Sequence, residues 1–148
     1  MSNQILINNL KLKKMKSTAT LVVFITGLIV AGFTIKLQQA QKPWPVPAAA
    51  KAKKNPVASS AESIKAGKEL WSTNCKSCHG SKGLGDGTKA AQLKTEPGDF
   101  SKPSFQSQTD GEMFYRLSEG RDDMPASKKK IPDEEDRWNL VNFIRTLK

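Results

Sequence analysis

The hydropathy pattern divides the chain into three stretches. From Ser17 to Ile35 it reads STATLVVFITGLIVAGFTI, nineteen residues without a charge, closed by Lys36. As a helix this run is about 28 Å long, close to the hydrocarbon thickness of a bilayer. Residues 17–36 are therefore expected to form a transmembrane anchor or a signal segment, with Lys16 and Lys36 able to reach the two interfaces. Residues 37–60 are expected to be a flexible linker, because Pro43, Pro45, Pro47 and Pro56 favour polyproline II and no acidic residue is present. Trp44 within it has three readings: a membrane-interface anchor, a contact with the folded domain, or a linker aromatic without a role. From Ala61 the period becomes helical. Ile64, Gly67, Leu70 and Trp71 share one face of a segment that runs up to Asn74. Thr109 and Asp110 cap a second helix carrying Met113, Phe114 and Leu117, which Gly120 stops. Pro132 begins a third, whose first-turn acids Asp133, Glu134, Glu135 and Asp136 complement the helix dipole. Its buried face is Trp138, Leu140, Val141, Phe143 and Ile144. No strong alternating strand is visible, so 61–148 is expected to be one small all-α domain. A domain of that size has a small core, and something should fill its centre.

Charge changes the picture only at the N-terminus. The formal net charge is +10, yet residues 1–59 hold nine lysines and no acid, while the remainder is nearly neutral. No basic stripe with interleaved aromatics survives that division, which argues against nucleic-acid binding. Residues 1–16 form a basic N-terminus, and four lysines before the apolar run favour a cytoplasmic start and an exported C-terminus. A cleaved signal peptide is the alternative, with Val30-Ala31-Gly32 as the best small-residue site. Length and the weakness of that site favour the uncleaved anchor.

Both cysteines of the chain and its only histidine fall within Cys75-Lys76-Ser77-Cys78-His79. A thioredoxin-like pair needs a strand–helix context, which does not precede Cys75. A structural zinc ion needs four ligands, and His79 directly after Cys78 suits a tetrahedral ion poorly. A catalytic Cys–His pair usually converges from distant parts of a chain. The remaining reading is covalent haem: two thiols form thioethers to the porphyrin vinyl groups, and the next histidine ligates the iron. Gly80, Gly83, Gly85 and Gly87 match no phosphate-loop spacing and read as a flexible loop leaving the histidine.

On these residues the segment from about Ala61 to Lys148 resembles a class I, single-haem c-type cytochrome. The stretches that carry the resemblance are AGKELWSTNCKSCHG, GLGDG, DMPA and RWNLVNFIRTL. The resemblance implies a small helical fold around one covalent haem c, electron transfer rather than enzymatic turnover, and maturation outside the cytoplasm. It implies a close crossing of the first and last helices, with Gly67 as the small residue and Phe143 as the aromatic packed across it. It also places Thr88 where many relatives have a proline whose carbonyl accepts the proton on the histidine's other ring nitrogen.

A low-spin electron-transfer haem needs a sixth ligand, and the chain holds no second histidine. Methionine thioether is the remaining common choice. Met1 and Met15 precede the apolar segment, and Met113 lies in a helical stretch where core packing suits it. Met124 follows the helix stop at Gly120 and directly precedes Pro125, so it sits in extended chain. It also matches the family's Met-Pro ligand position. The expected site is thus Cys75, Cys78, His79 and Met124. The expected function is a membrane-tethered electron carrier on the exported, periplasmic side, exchanging electrons with protein redox partners such as a membrane complex, an oxidase or a dehydrogenase. A fixed subunit of a larger respiratory complex, or a gas-binding haem protein, is the alternative. Lys128, Lys129 and Lys130, with Lys76 and Lys82, are candidates for a docking surface.

Overall fold

A computed structural model describes residues 43–148. The expected membrane segment, 17–36, and the basic N-terminus lie outside the described residues. Among the described residues no helix is long and apolar enough to cross a membrane. The described chain is all-α apart from an isolated bridge between Arg121 and Met124. Its helices are α1 (Ala48–Ala52), α2 (Ala61–Asn74), α3 (Lys76–His79), α4 (Pro103–Gln106), α5 (Asp110–Glu119) and α6 (Glu134–Ile144), with short 3-10 turns at Ala90–Gln92 and Ser127–Lys129.

Side-chain caps fix where the long helices begin. The Ser60 hydroxyl accepts from the Ser63 amide at the start of α2. Thr109 and Glu112 exchange reciprocal hydrogen bonds at the start of α5, and Asp133 accepts from the Glu135 amide at the start of α6. Each satisfies an amide that the helix itself leaves without a partner. Gly120 ends α5 at a positive φ of 66°, a conformation that glycine adopts without a steric penalty.

Helices α2 and α6 pack most extensively, and Gly67 makes the approach possible. A Cβ at Gly67 would lie 2.1 Å from the Asn139 carbonyl oxygen and 2.8 Å from the Phe143 Cβ. The expected crossing of the first and last helices is therefore present, with Phe143 beside Trp71 at a ring separation of 5.8 Å. Helix α6 departs from a one-faced pattern: every residue from Arg137 to Ile144 is buried. The expected apolar set is all there, and Trp138, Leu140 and Val141 are almost wholly enclosed. The polar residues among them find partners. Asn139 accepts from the Ser63 hydroxyl at 2.6 Å, and Arg137 donates to the carbonyls of Ile131 and Pro132.

The last part of the segment expected to be a linker is not free chain. Residues 43–60 wrap the helical domain as a strap and belong to the same compact unit. Ala48–Ala52 is rich in the strongest helix former, and it lies against α5 where Gly111 leaves no side chain. A Cβ at Gly111 would sit 2.1 Å from the Ala50 carbonyl oxygen. Thr109 Oγ1 donates to the Lys51 carbonyl at 2.9 Å, and the Lys53 ammonium pairs with Glu134 at 2.6 Å, 4.9 Å from the Phe114 ring centre. Farther along, Asn142 donates to the Val57 and Ala58 carbonyls and to Ser63 Oγ, while Asn55 donates to Asn142 Oδ1 at 2.8 Å. Val46 is buried. The prolines shape the strap's extended parts, but contacts with α5 and α6 hold it.

Candidate cofactor site

Cys75 ends α2, and its carbonyl accepts from the amides of Cys78 and His79 at 3.1 and 3.0 Å. This single turn brings two thiols and an imidazole to one wall. Both cysteines are free thiols and half-buried. Burial pushes the Cys75 thiol up to about 12, with the neighbouring Cys78 adding to the shift, so the protein holds this thiol protonated. The loop leaving His79 folds back on the turn. The Gly85 amide donates to the His79 carbonyl and the Lys89 amide to the Ser77 carbonyl. Gly87 passes so close that a Cβ there would lie 2.4 Å from the Ser77 carbonyl oxygen.

The His79 ring packs against two aromatics, with ring-centre separations of 5.7 Å to Trp71 and 4.8 Å to Phe100, and those two rings are themselves in edge contact at 5.6 Å. Both are anchored. Trp71 Nε1 donates to the Gly80 carbonyl at 3.1 Å, and Phe100 stacks on Phe105 while its amide donates to the Gly83 carbonyl. Burial pushes the His79 pKa down to about 4, with the Pro97 backbone carbonyl acting in the opposite direction. The imidazole is therefore neutral at physiological pH, the form that ligates a metal. Its Nδ1 atom is buried and makes no hydrogen bond. Pro97 is the backbone group that bears on the ring, and the hydrogen bond expected from the histidine to the Thr88 carbonyl is not formed by Nδ1.

Met124 follows a turn in which the Arg121 and Met124 backbones exchange two hydrogen bonds, at 2.8 and 2.9 Å. Asp122 inside that turn has φ +50°, a region aspartate tolerates better than most residues. The Asp123 carboxylate accepts from the amides of Lys94 and Thr95, which ties the Met124 turn to the segment leading into Pro97. Gly120 lies directly beneath: a Cβ there would be 2.4 Å from the Met124 carbonyl oxygen.

One cavity of about 580 Å³ gathers these groups, a size typical of cofactor pockets. Cys75, Cys78, His79 and Met124 all line it, so the four residues singled out in the sequence meet at one site. Met113 lines it too, although it is 4% exposed and belongs to the packed core. Sequence reasoning missed Phe100 and Pro97, and it left Trp44 undecided. The Pro97-Gly98 pair is a turn signal that marks where the chain reverses towards the site, but nothing local says what the following phenylalanine covers. The residues fit a covalently held haem. The cavity is largely apolar in composition, two free thiols stand on one wall, and a buried neutral imidazole has a ring nitrogen without a partner. Among the described residues no cluster of His, Cys, Asp and Glu suits a metal ion held by protein alone.

Comparison with known proteins bears on this site. The cytochrome c family profile matches residues 64–148. Solved structures similar to the chain include a reducing HAO-like protein complex of Kuenenia stuttgartiensis, with a TM-score of 0.58 and 24% sequence identity, over 72% of this chain and 51% of that one. The chain thus spans about half the length of that structure, and the likeness is one of fold. No curated protein matches the chain. With the family match covering more than half of its length, the chain belongs to the cytochrome c family, and its Cys75–Cys78 pair implies a covalently attached haem c and haem-based electron transfer.

Proposed function

We propose that this protein is a one-electron carrier whose haem c is bound through Cys75 and Cys78, with His79 and Met124 as the axial ligands. The observation that carries the reading is the convergence of both thiols, the only histidine and Met124 on one cavity. When bound, the haem supplies an iron that alternates between ferric and ferrous states. The chain supplies the rest. Trp71 and Phe100 fix the plane of the His79 ring, and burial keeps its lone pair free of a proton. A thioether ligand adds no charge and favours the ferrous state, which raises the potential. Met124 suits this role better than Met113 because it lies on a half-buried turn rather than inside a packed helix.

The reading extends to place and partners. Residues 17–36 would hold the domain on the exported side of a membrane, and a carrier there exchanges electrons with protein partners, one donor and one acceptor. Lys130 lines the cavity, with Lys128 and Lys129 beside it. That position suits an acidic partner approaching the cavity mouth.

The test is spectroscopic. Haem should stay with the polypeptide through acid denaturation and organic extraction, and the ferric protein should be low-spin. Met124→Ala should turn it high-spin, lower the midpoint potential and let the ferrous form bind CO quickly. Met113→Ala should retain the low-spin spectrum. A low-spin Met124→Ala protein with the original potential removes Met124 from the iron.

A further inference from the structure

Trp44 lines the same cavity, from the irregular stretch of the strap that precedes α1. Its ring faces two guanidinium groups, Arg121 at 4.6 Å and Arg116 at 5.9 Å from the ring centre. The backbone beside it is held by the same two side chains. Arg116 donates to the Trp44 carbonyl at 3.1 Å and Arg121 donates to the Pro43 carbonyl at 3.0 Å. These two arginines lie just before Met124 in the chain. Arg116 lies in the last turns of α5, and Arg121 opens the turn that Met124 closes through paired backbone hydrogen bonds. Both arginines and Met124 line the cavity with Trp44.

We propose that Trp44 is a positioning residue for the sixth ligand: it closes the Met124 side of the cavity and holds the Arg121–Met124 turn against swinging outward. The proposal rests on the reading of Met124 as an axial ligand. For Met124 to leave the cavity, its turn must move as a unit, because Arg121 and Met124 are hydrogen-bonded to each other. Outward movement then separates Arg121 from the indole and from the Pro43 carbonyl. The ring contact of a half-buried guanidinium changes such an opening equilibrium by on the order of tenfold. The open population sets how fast an external ligand replaces a bound side chain.

Cyanide association with the ferric holoprotein measures that population, and the full chain is the material to use. Trp44→Ala should keep the resting low-spin spectrum but bind cyanide about tenfold faster. Trp44→Phe, which retains a π face, should stay within about threefold of the unaltered protein. If Trp44→Ala yields no holoprotein, Arg121→Gln, which removes the nearer cation from the ring, should show the same acceleration. Tryptic cleavage after Lys51, Lys53 and Lys54 serves as the second readout and should be no faster in Trp44→Ala, because α1 remains docked. An unchanged cyanide rate in Trp44→Ala and Arg121→Gln overturns the proposal. So does rapid cleavage at those lysines, since the effect would then belong to the whole strap. An unaltered protein that is already high-spin defeats the Met124 reading and this proposal together. The resting spectrum tells that failure from the other two.

Discussion

A single hydrogen atom decides the α2–α6 crossing. Gly67 has no Cβ, and the space one would need is occupied by the Asn139 carbonyl and the Phe143 Cβ. Neither is the far end of a flexible side chain, so the helices must separate to admit a methyl group. Gly67→Ala should therefore destabilise the holoprotein by about 3 kcal/mol or more, despite the better helix propensity of alanine. Denaturant unfolding at constant haem content checks this, and a change of less than about 1 kcal/mol would contradict the geometry. Met113 makes the complementary case. It is buried in the core cluster with Phe114, Leu117 and Trp138. Met113→Ala should cost about 2–5 kcal/mol of stability through the cavity it leaves, with the axial ligation intact. Loss of stability without a spin change separates packing from ligation within one pair of methionines. Local sequence was enough to find the thiols and the histidine, because a six-residue stretch holds all three. The packing of His79 against Trp71 and Phe100 depends on a loop closure that no short window encodes.

At the scale of elements, the strap is where sequence and structure part. The three long helices are legible from the periodic apolar faces of α2 and α5 and the dense apolar run of α6, with Thr109, Gly120 and Pro132 as local start or stop signals. The strap has prolines, lysines and small residues, a composition that reads as solvated linker. Its partners are far away in sequence: Asn55 meets Asn142 across 87 positions, and Lys53 meets Glu134 across 81. Such contacts have no signature in the strap alone. The consequence is measurable. Trypsin should cut at Lys51, Lys53 and Lys54 only as fast as the strap unfolds, where a true linker would be cut at once. Asn142→Ala removes the side chain that joins Asn55, Ser63 and two strap carbonyls. It should cost about 1–3 kcal/mol, because buried donors and acceptors lose their partners, and it should speed cleavage at the three lysines. Cleavage at the unaltered rate would mean that the strap is held by α1 and α5 without help from the polar network.

For the molecule as a whole, the balance of charge shapes encounter with partners more than stability. Residues 60–148 are close to neutral, so any steering field must come from local placement of lysines rather than from net charge. The lysines near the cavity are not equivalent. Lys128 forms an ion pair with Glu119, Lys129 is exposed on the 3-10 turn, and Lys130 lines the cavity. An approaching acidic partner meets Lys128 already partly neutralised, and both members of that pair are well exposed, where ion pairs contribute little to stability. Charge reversal at Lys129 and Lys130 should therefore slow electron transfer with an acidic redox partner by several-fold at low ionic strength. Reversal at Lys128 should do less, because Glu119 already offsets its charge. The differences should fade above about 0.5 M salt, where the screening length falls to a few ångströms. None of the three substitutions touches the ligand set, so the midpoint potential and the resting spectrum should stay as they are. Stopped-flow rates at several ionic strengths decide the matter. Equal slowing by all three would point to a diffuse positive field, and no slowing at low salt would place the docking surface elsewhere on the domain.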